Sequence, residues 1–262
     1  MDIQSRRNPK IRAIRRLQRS AKARRTEGRF VAEGVRLAEE ALRAGWLPEW
    51  VLVGPGLSPR GRAVVAGFRE RGVTVFTTSE DALAAASATE TPQGILLVLP
   101  FQQLPWPQHA DFLLVLDGVR DPGNLGTMLR TAWAAGVQGV LLTTTSADPY
   151  NPKVVRAGMG AHFRLPMQRL PWDGLRKRLD GYRVFLAAAG EGQAYTQADL
   201  RQPLALVIGG EAEGVSPQAR ALPHQALHIP MPGPAESLNA AVAAGVLLFE
   251  VVRQRGLGVG RA

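Results

Sequence analysis

Residues 229–241, IPMPGPAESLNAA, decide how this chain is read. An apolar strand end at Ile229 runs into a loop holding Pro230, Pro232 and Pro234, whose rings fix φ and remove backbone donors. Ser237 then stands at a natural N-cap, and Leu238–Val252 reads as an apolar helix. A helix start offers free N–H groups beside a rigid loop, which is a place to hold a small ligand.

Working outward, short apolar runs at 112–117, 139–144, 183–189, 204–209 and 226–230 suit a buried parallel sheet. Helical patterns at 124–135, 151–160, 172–180 and 237–253 alternate with them, which predicts βαβ crossovers and a doubly wound α/β domain. In such sheets ligands sit beyond the carboxyl ends of the strands. Three glycine-bearing loops fall there: 117–132 (DGVRDPGNLGTMLRTA), 208–217 (IGGEAEGVSP) and the opening stretch. In the first, Asn124 is placed to cap a helix from which Arg130 projects. In the second, Gly209 and Gly210 allow backbone to approach a ligand, with Glu211 a carboxylate at the strand end.

Upstream lies a smaller α/β domain. Strands are predicted at 30–34, 50–53, 73–76 and 94–99, with helices at 35–44, 59–71 and 79–86. Ahead of it, residues 8–25 read as one basic amphipathic helix. Domain limits are expected at 1–100 and 111–262. The proline-rich stretch 101–110 is the linker between them, and the glycine-rich tail 256–262 is expected to be disordered.

Net charge is +10 over 262 residues and is unevenly placed: residues 1–29 hold eleven Lys and Arg against Asp2 and Glu27. A block of +9 is a phosphate-seeking arm. Arg6, Arg7, Lys10, Arg15, Arg16 and Arg19 are its candidate nucleic-acid contacts. The absence of cysteine excludes disulfides, thiolate metal sites and cysteine nucleophiles. No metal is expected, since the one spaced pair, His224 and His228, reads as surface or satisfied structure. No apolar run approaches the roughly 20 residues of a membrane span. No stretch matches G-x-G-x-x-G, a P-loop or G-x-S-x-G, which weakens dinucleotide, NTPase and hydrolase readings.

In this order, the segments DPGNLGTMLRTA, IGGEAEGVSP and IPMPGPAESLNAAVAAGVLLFE resemble the SpoU family of RNA 2′-O-ribose methyltransferases, also called the TrmH family. The basic helix and FVAEGVRLAEEAL resemble the substrate-binding domain of its rRNA-directed members. Residues 148–166, DPYNPKVVRAGMGAHFRLP, look like a further family segment, although Gly158 stands where members often have Ser. The resemblance implies a trefoil-knotted α/β catalytic domain, a homodimer, S-adenosylmethionine as donor, and a cytoplasmic protein acting on RNA, rRNA before tRNA. It places Gly209, Ile229 and Leu238 at the cofactor, with Gly210 and the strand-end Thr144 beside them. It places Asn124, Arg130, Glu211, Ser237 and Asn239 in the catalytic cluster. The competing readings are a non-catalytic RNA-binding assembly factor and a nucleotide-dependent oxidoreductase. The intact cluster opposes the first, and the missing phosphate-binding fingerprint opposes the second.

Overall fold

The computed structural model describes residues 2–256. The chain forms two compact units, one of Met1–Gln102 with Asp148–Phe163, the other of Gln103–Ala147 with Arg164–Ala262.

The first unit runs β1 (Asp2–Ile3), α1 (Pro9–Arg19), α2 (Ala21–Glu27), β2 (Arg29–Glu33), α3 (Val35–Arg43), β3 (Trp50–Val53), α4 (Pro59–Glu70), β4 (Thr74–Thr78), α5 (Glu80–Ala86) and β5 (Ile95–Pro100). Its sheet has the order β1-β4-β3-β5-β2, with β5 antiparallel to both neighbours. Ile11, Ile14 and Leu17 recur at helical spacing on α1 and are buried against Val31, Leu52 and Val98 of the sheet. The basic stretch is two helices rather than the single one expected. Ser20 adopts extended backbone, ends α1, and caps α2 by accepting from the Ala23 N–H at 3.1 Å.

The second unit begins with β6 (Phe112–Asp117), α6 (Pro122–Ala134) and β7 (Gly139–Thr143). The chain then gives α7 (Pro152–Gly158) to the first unit before returning with β8 (Met167–Leu170), α8 (Trp172–Leu179), β9 (Arg183–Ala187) and β10 (Gln193–Ala194). It finishes with β11 (Leu204–Gly209), α9 (Pro217–Arg220), β12 (Gln225–His228) and α10 (Ala240–Gln254). The seven strands are all parallel, in the order β10-β12-β9-β11-β6-β7-β8. β6 and β11 are buried along their whole length, as expected for central strands covered on both faces. One face carries α8 and α9 through Leu175, Leu179 and Ala219, while α10 lies against α6 and β11.

Asp148–Phe163, expected within the second domain, lies in the first unit, whose longer segment ends at Gln102. Its chemistry explains why. Arg24 is 2% exposed and donates to Asp148 Oδ2 at 2.6 and 2.8 Å, while its Nη1 donates to the Leu17 and Gln18 carbonyls. Tyr150 stacks on Phe101 at 4.2 Å and packs against Phe30. Burial pushes His162 down to about 4, so it is neutral and donates from Nε2 to the Pro149 carbonyl at 2.7 Å. The stretch 101–110 forms no helix or strand, yet it is not loose. Phe101 donates its N–H to Gly28 in the first unit, and Trp106 packs in the second, where Gly139 leaves room for its ring. The tail beyond Gly256 lies outside the described residues. Among the described residues no helix is long and apolar enough to cross a membrane.

Candidate active site

The sheet changes direction around β6: β7 and β8 extend one way, while β11, β9 and β12 lie the other way. Beyond the carboxyl ends of β9, β11 and β12 lies a cavity of about 820 Å³. Gly209, Gly210 and Glu211 form one wall, and Ile229, Ser237, Leu238 and Asn239 another. Sequence reasoning missed the third wall, Ala187–Gly190 at the end of β9; its signal was that β9, too, ends at this edge. Among the described residues the amides of Ile229 and Leu238 make no hydrogen bond, so the cavity offers unpaired backbone donors between apolar surfaces. No group of His, Asp and Glu among the described residues could hold a metal ion.

A run of three side chains crosses the mouth. Asn239 caps α10, its Oδ1 accepting from the N–H groups of Ala241 and Val242 at 2.9 and 3.3 Å. That fixes the amide's orientation, so Nδ2 faces outward and donates to Asn124 Oδ1 at 3.1 Å. Asn124 Nδ2 then donates to Glu211 Oε1 at 2.7 Å. Each link dictates the next, and the carboxylate ends the chain with an oxygen still available.

Two caps differ from expectation. Asn239, not Ser237, caps α10, and Ser237 is left exposed on the cavity wall. Asp121, not Asn124, caps α6 by accepting from the Asn124 N–H at 2.8 Å. The second difference matters most. Asn8, Asn151 and Asn239 cap helices, whereas the fourth asparagine has its amide free to bridge two loops.

Asp117, which sequence reasoning also missed, is 2% exposed at the end of β6 and accepts from the Ser216 N–H at 2.7 Å. It ties down the loop that carries Glu211. Gly210 is needed in that loop, since a Cβ there would fall 2.4 Å from the Gly118 carbonyl oxygen.

Arg130 and Thr144 stand apart. Arg130 lies six residues beyond Asn124 on α6, which turns it about 120° away around the helix. It is exposed, makes no ion pair or side-chain hydrogen bond among the described residues, and does not line the cavity. Thr144 follows β7, two strands from β11, and its carbonyl accepts from Arg169. In the first unit, Arg6 pairs with Asp81 at 3.1 Å and Arg16 with Glu27 at 2.8 Å. Lys10 lies over the Phe76 and Trp50 rings at 4.2 and 4.6 Å. Arg7, Arg15 and Arg19 make no ion pair among the described residues.

Comparison with known proteins gives the same picture. Residues 111–249 match the SpoU rRNA methylase family, and residues 8–97 match the MRM3-like substrate binding domain. The chain is 35% identical to the 23S rRNA (guanosine(2553)-2′-O)-methyltransferase RlmP of Bacillus subtilis, over 95% of this chain and 98% of the relative. It is 35% identical to the 23S rRNA (uridine(2479)-2′-O)-methyltransferase of Streptomyces viridochromogenes, over 87% and 84%. The AdoMet-bound rRNA methyltransferase of Sinorhizobium meliloti superposes with a TM-score of 0.84 at 33% identity, covering 97% of both chains. With both units matched and the three loops gathered at one sheet edge, the chain belongs to the SpoU rRNA methylase family.

Proposed function

We propose that this protein transfers a methyl group from S-adenosylmethionine to a ribose 2′-OH of 23S rRNA. The observation that carries this reading is the Asn239–Asn124–Glu211 chain, fixed at the mouth of a cavity large enough for the cofactor. The two relatives act on different bases, which makes the ribose hydroxyl their shared target.

The cavity fits the cofactor: small residues, apolar walls and unpaired backbone donors suit an adenosine held largely by backbone. Gly209, Gly210, Ile229 and Leu238 would hold it; Thr144 has no place in that set. The cofactor supplies an electrophilic methyl group on a sulfonium. What remains is the nucleophile, because a ribose hydroxyl is barely ionised at neutral pH. Asn124 and Asn239 hold Glu211 and the incoming ribose in register, and Glu211 or a water bound to it takes the proton. Arg130 stays protonated and stabilises the developing alkoxide and its phosphate. Ser237 contacts RNA from the cavity wall.

A homodimer accounts for the position of Arg130. Val242 and Phe249 lie two helical turns apart on α10 and are 52% and 49% exposed, an apolar stripe suited to a second copy. Pairing through this face would bring Arg130 of one copy to the cavity of the other. The trefoil knot is inferred from the SpoU family match alone. The likeness to a bacterial 23S rRNA methyltransferase favours a cytoplasmic location.

The test uses tritiated cofactor and transcribed 23S rRNA. Wild type yields label in a 2′-O-methylated nucleotide, and Arg130→Ala binds cofactor normally by calorimetry while transfer falls at least about 10²-fold. Label on a base, or no transfer by wild type, refutes the function. Near-normal turnover by Arg130→Ala refutes the role of Arg130.

A further inference from the structure

The basic residues of the first segment have separate fates. Arg24 is buried on Asp148, Arg6 and Arg16 are paired, and Lys10 rests on aromatic rings. Arg15 and Arg19, one turn apart on α1, are not consumed in this way. They line a cavity of about 330 Å³ in the first unit, together with Lys153 and Arg156 of α7. No carboxylate lines it. The acid behind Ser87, Glu33, is already engaged by the hydroxyls of Ser87 and Thr89 and by the Ala88 N–H.

Between Arg15 and Arg19 sits Gln18, whose Nε2 is buried in the cavity wall without a hydrogen-bond partner. Buried donors are seldom left unpaired, because losing water without gaining an acceptor is costly. Three arginines around one cavity, Arg15, Arg19 and Arg156, are also unfavourable unless an anion joins them. Both features call for the same guest: an anion with several acceptor oxygens, the chemistry of a phosphate. Arg12, three residues before Arg15, continues the row on α1 and makes no ion pair among the described residues. A row of cations fits a polyanion better than a single ion.

We propose that this cavity holds a backbone phosphodiester of the RNA substrate, gripped by Arg15, Gln18 and Arg19 from α1 and by Lys153 and Arg156 from α7. The proposal rests on the reading that the substrate is RNA. It extends the RNA surface to a segment that the sequence assigns to the catalytic domain.

The test is equilibrium binding of transcribed 23S rRNA without cofactor, across a salt series. Arg15→Gln combined with Arg156→Gln should weaken binding at least about tenfold and reduce the salt slope by about 1–2. Arg69→Gln with Arg71→Gln removes the same charge from the end of α4 and the residue that caps it, and should change affinity less than about twofold. Gln18→Leu should weaken RNA binding severalfold while the melting temperature holds or rises, since it removes an unpaired buried donor. The proposal fails if the Arg15/Arg156 variant matches the Arg69/Arg71 control, or if Gln18→Leu leaves RNA affinity unchanged. Inorganic phosphate distinguishes the source: tight phosphate binding by wild type, with RNA affinity retained in the Arg15/Arg156 variant, marks a free-anion site and overturns the proposal. Methyl transfer is scored separately. Transfer without a pocket effect sinks only this inference, and a pocket effect without transfer sinks only the enzymatic reading.

Discussion

Gly210→Ala tests whether the site depends on how closely two loops pass. The new Cβ would fall 2.4 Å from the Gly118 carbonyl oxygen, where ordinary contact begins at 3.4 Å, so the loops must part by about 1 Å (3.4 − 2.4). Glu211 is the next residue on one loop, and Gly118 leads to Asn124 on the other. Their hydrogen bond of 2.7 Å would stretch to about 3.7 Å, which is no longer a hydrogen bond. Misplacement of about 1 Å costs catalysis on the order of 10²-fold. Overpacking costs about 1–3 kcal/mol of stability, a melting shift of several degrees. Gly210 has ordinary negative-φ backbone, so strain from the substitution itself is not a confounder. Gly233→Ala, with nothing within 4 Å of the new methyl group, is the control and should behave as wild type. Initial rates of tritium transfer to 23S rRNA and thermal melts are compared for all three proteins. If Gly210→Ala turns over within threefold of wild type, the loop contact does not set the catalytic geometry.

Two further outcomes follow from the geometry. Asn239→Asp keeps the oxygen that caps α10 but loses the donor to Asn124, so melting should stay within about 2 °C while methyl transfer falls at least tenfold; a parallel loss of both would assign Asn239 to the cap alone. His162 should make the first unit acid-sensitive. Its folded value lies near 4, below the ordinary 6.5, so the unfolded chain binds the extra proton. Stability is complete above pH 6.5 and is lost as pH falls toward 4, by about 3 kcal/mol. His162→Gln should flatten that part of the urea-midpoint profile, and unchanged curvature would contradict the assignment.

Much of the fold was legible because its strands are short apolar runs and its loops are punctuated by Gly and Pro. The run Trp50–Val53 and the central β6 and β11 fall where periodicity put them. Ser20 was hidden because Ala21 continues the apolar stripe across the break, although its side chain caps a new helix. Two cap candidates, Ser237 and Asn239, precede α10; the choice depends on where the loop lets the chain turn, which is a tertiary matter. Asn124, Glu211 and Asn239 were named by their loops, but their hydrogen-bond order was not. Nothing in the sequence separates Asn124, which bridges, from the three asparagines that cap. Arg130 is offset because six residues along one helix turn it about 120° from Asn124, which the loop motif does not reveal.

The Arg24–Asp148 pair has a consequence for how the protein is made. During synthesis the ribosome releases the first 102 residues well before Asp148 appears. Until then Arg24 has no counter-charge for its buried guanidinium, and Phe30 and Phe101 lack the ring of Tyr150. A buried cation without its partner costs several kcal/mol. The amino-terminal unit therefore cannot mature as soon as its own strands are complete. It waits for β6, α6 and β7 to be translated, so the order of synthesis delays completion of the RNA-binding unit until part of the catalytic sheet exists. A chain ending at Gln102 should accordingly be poorly folded, even though every strand of its sheet is present.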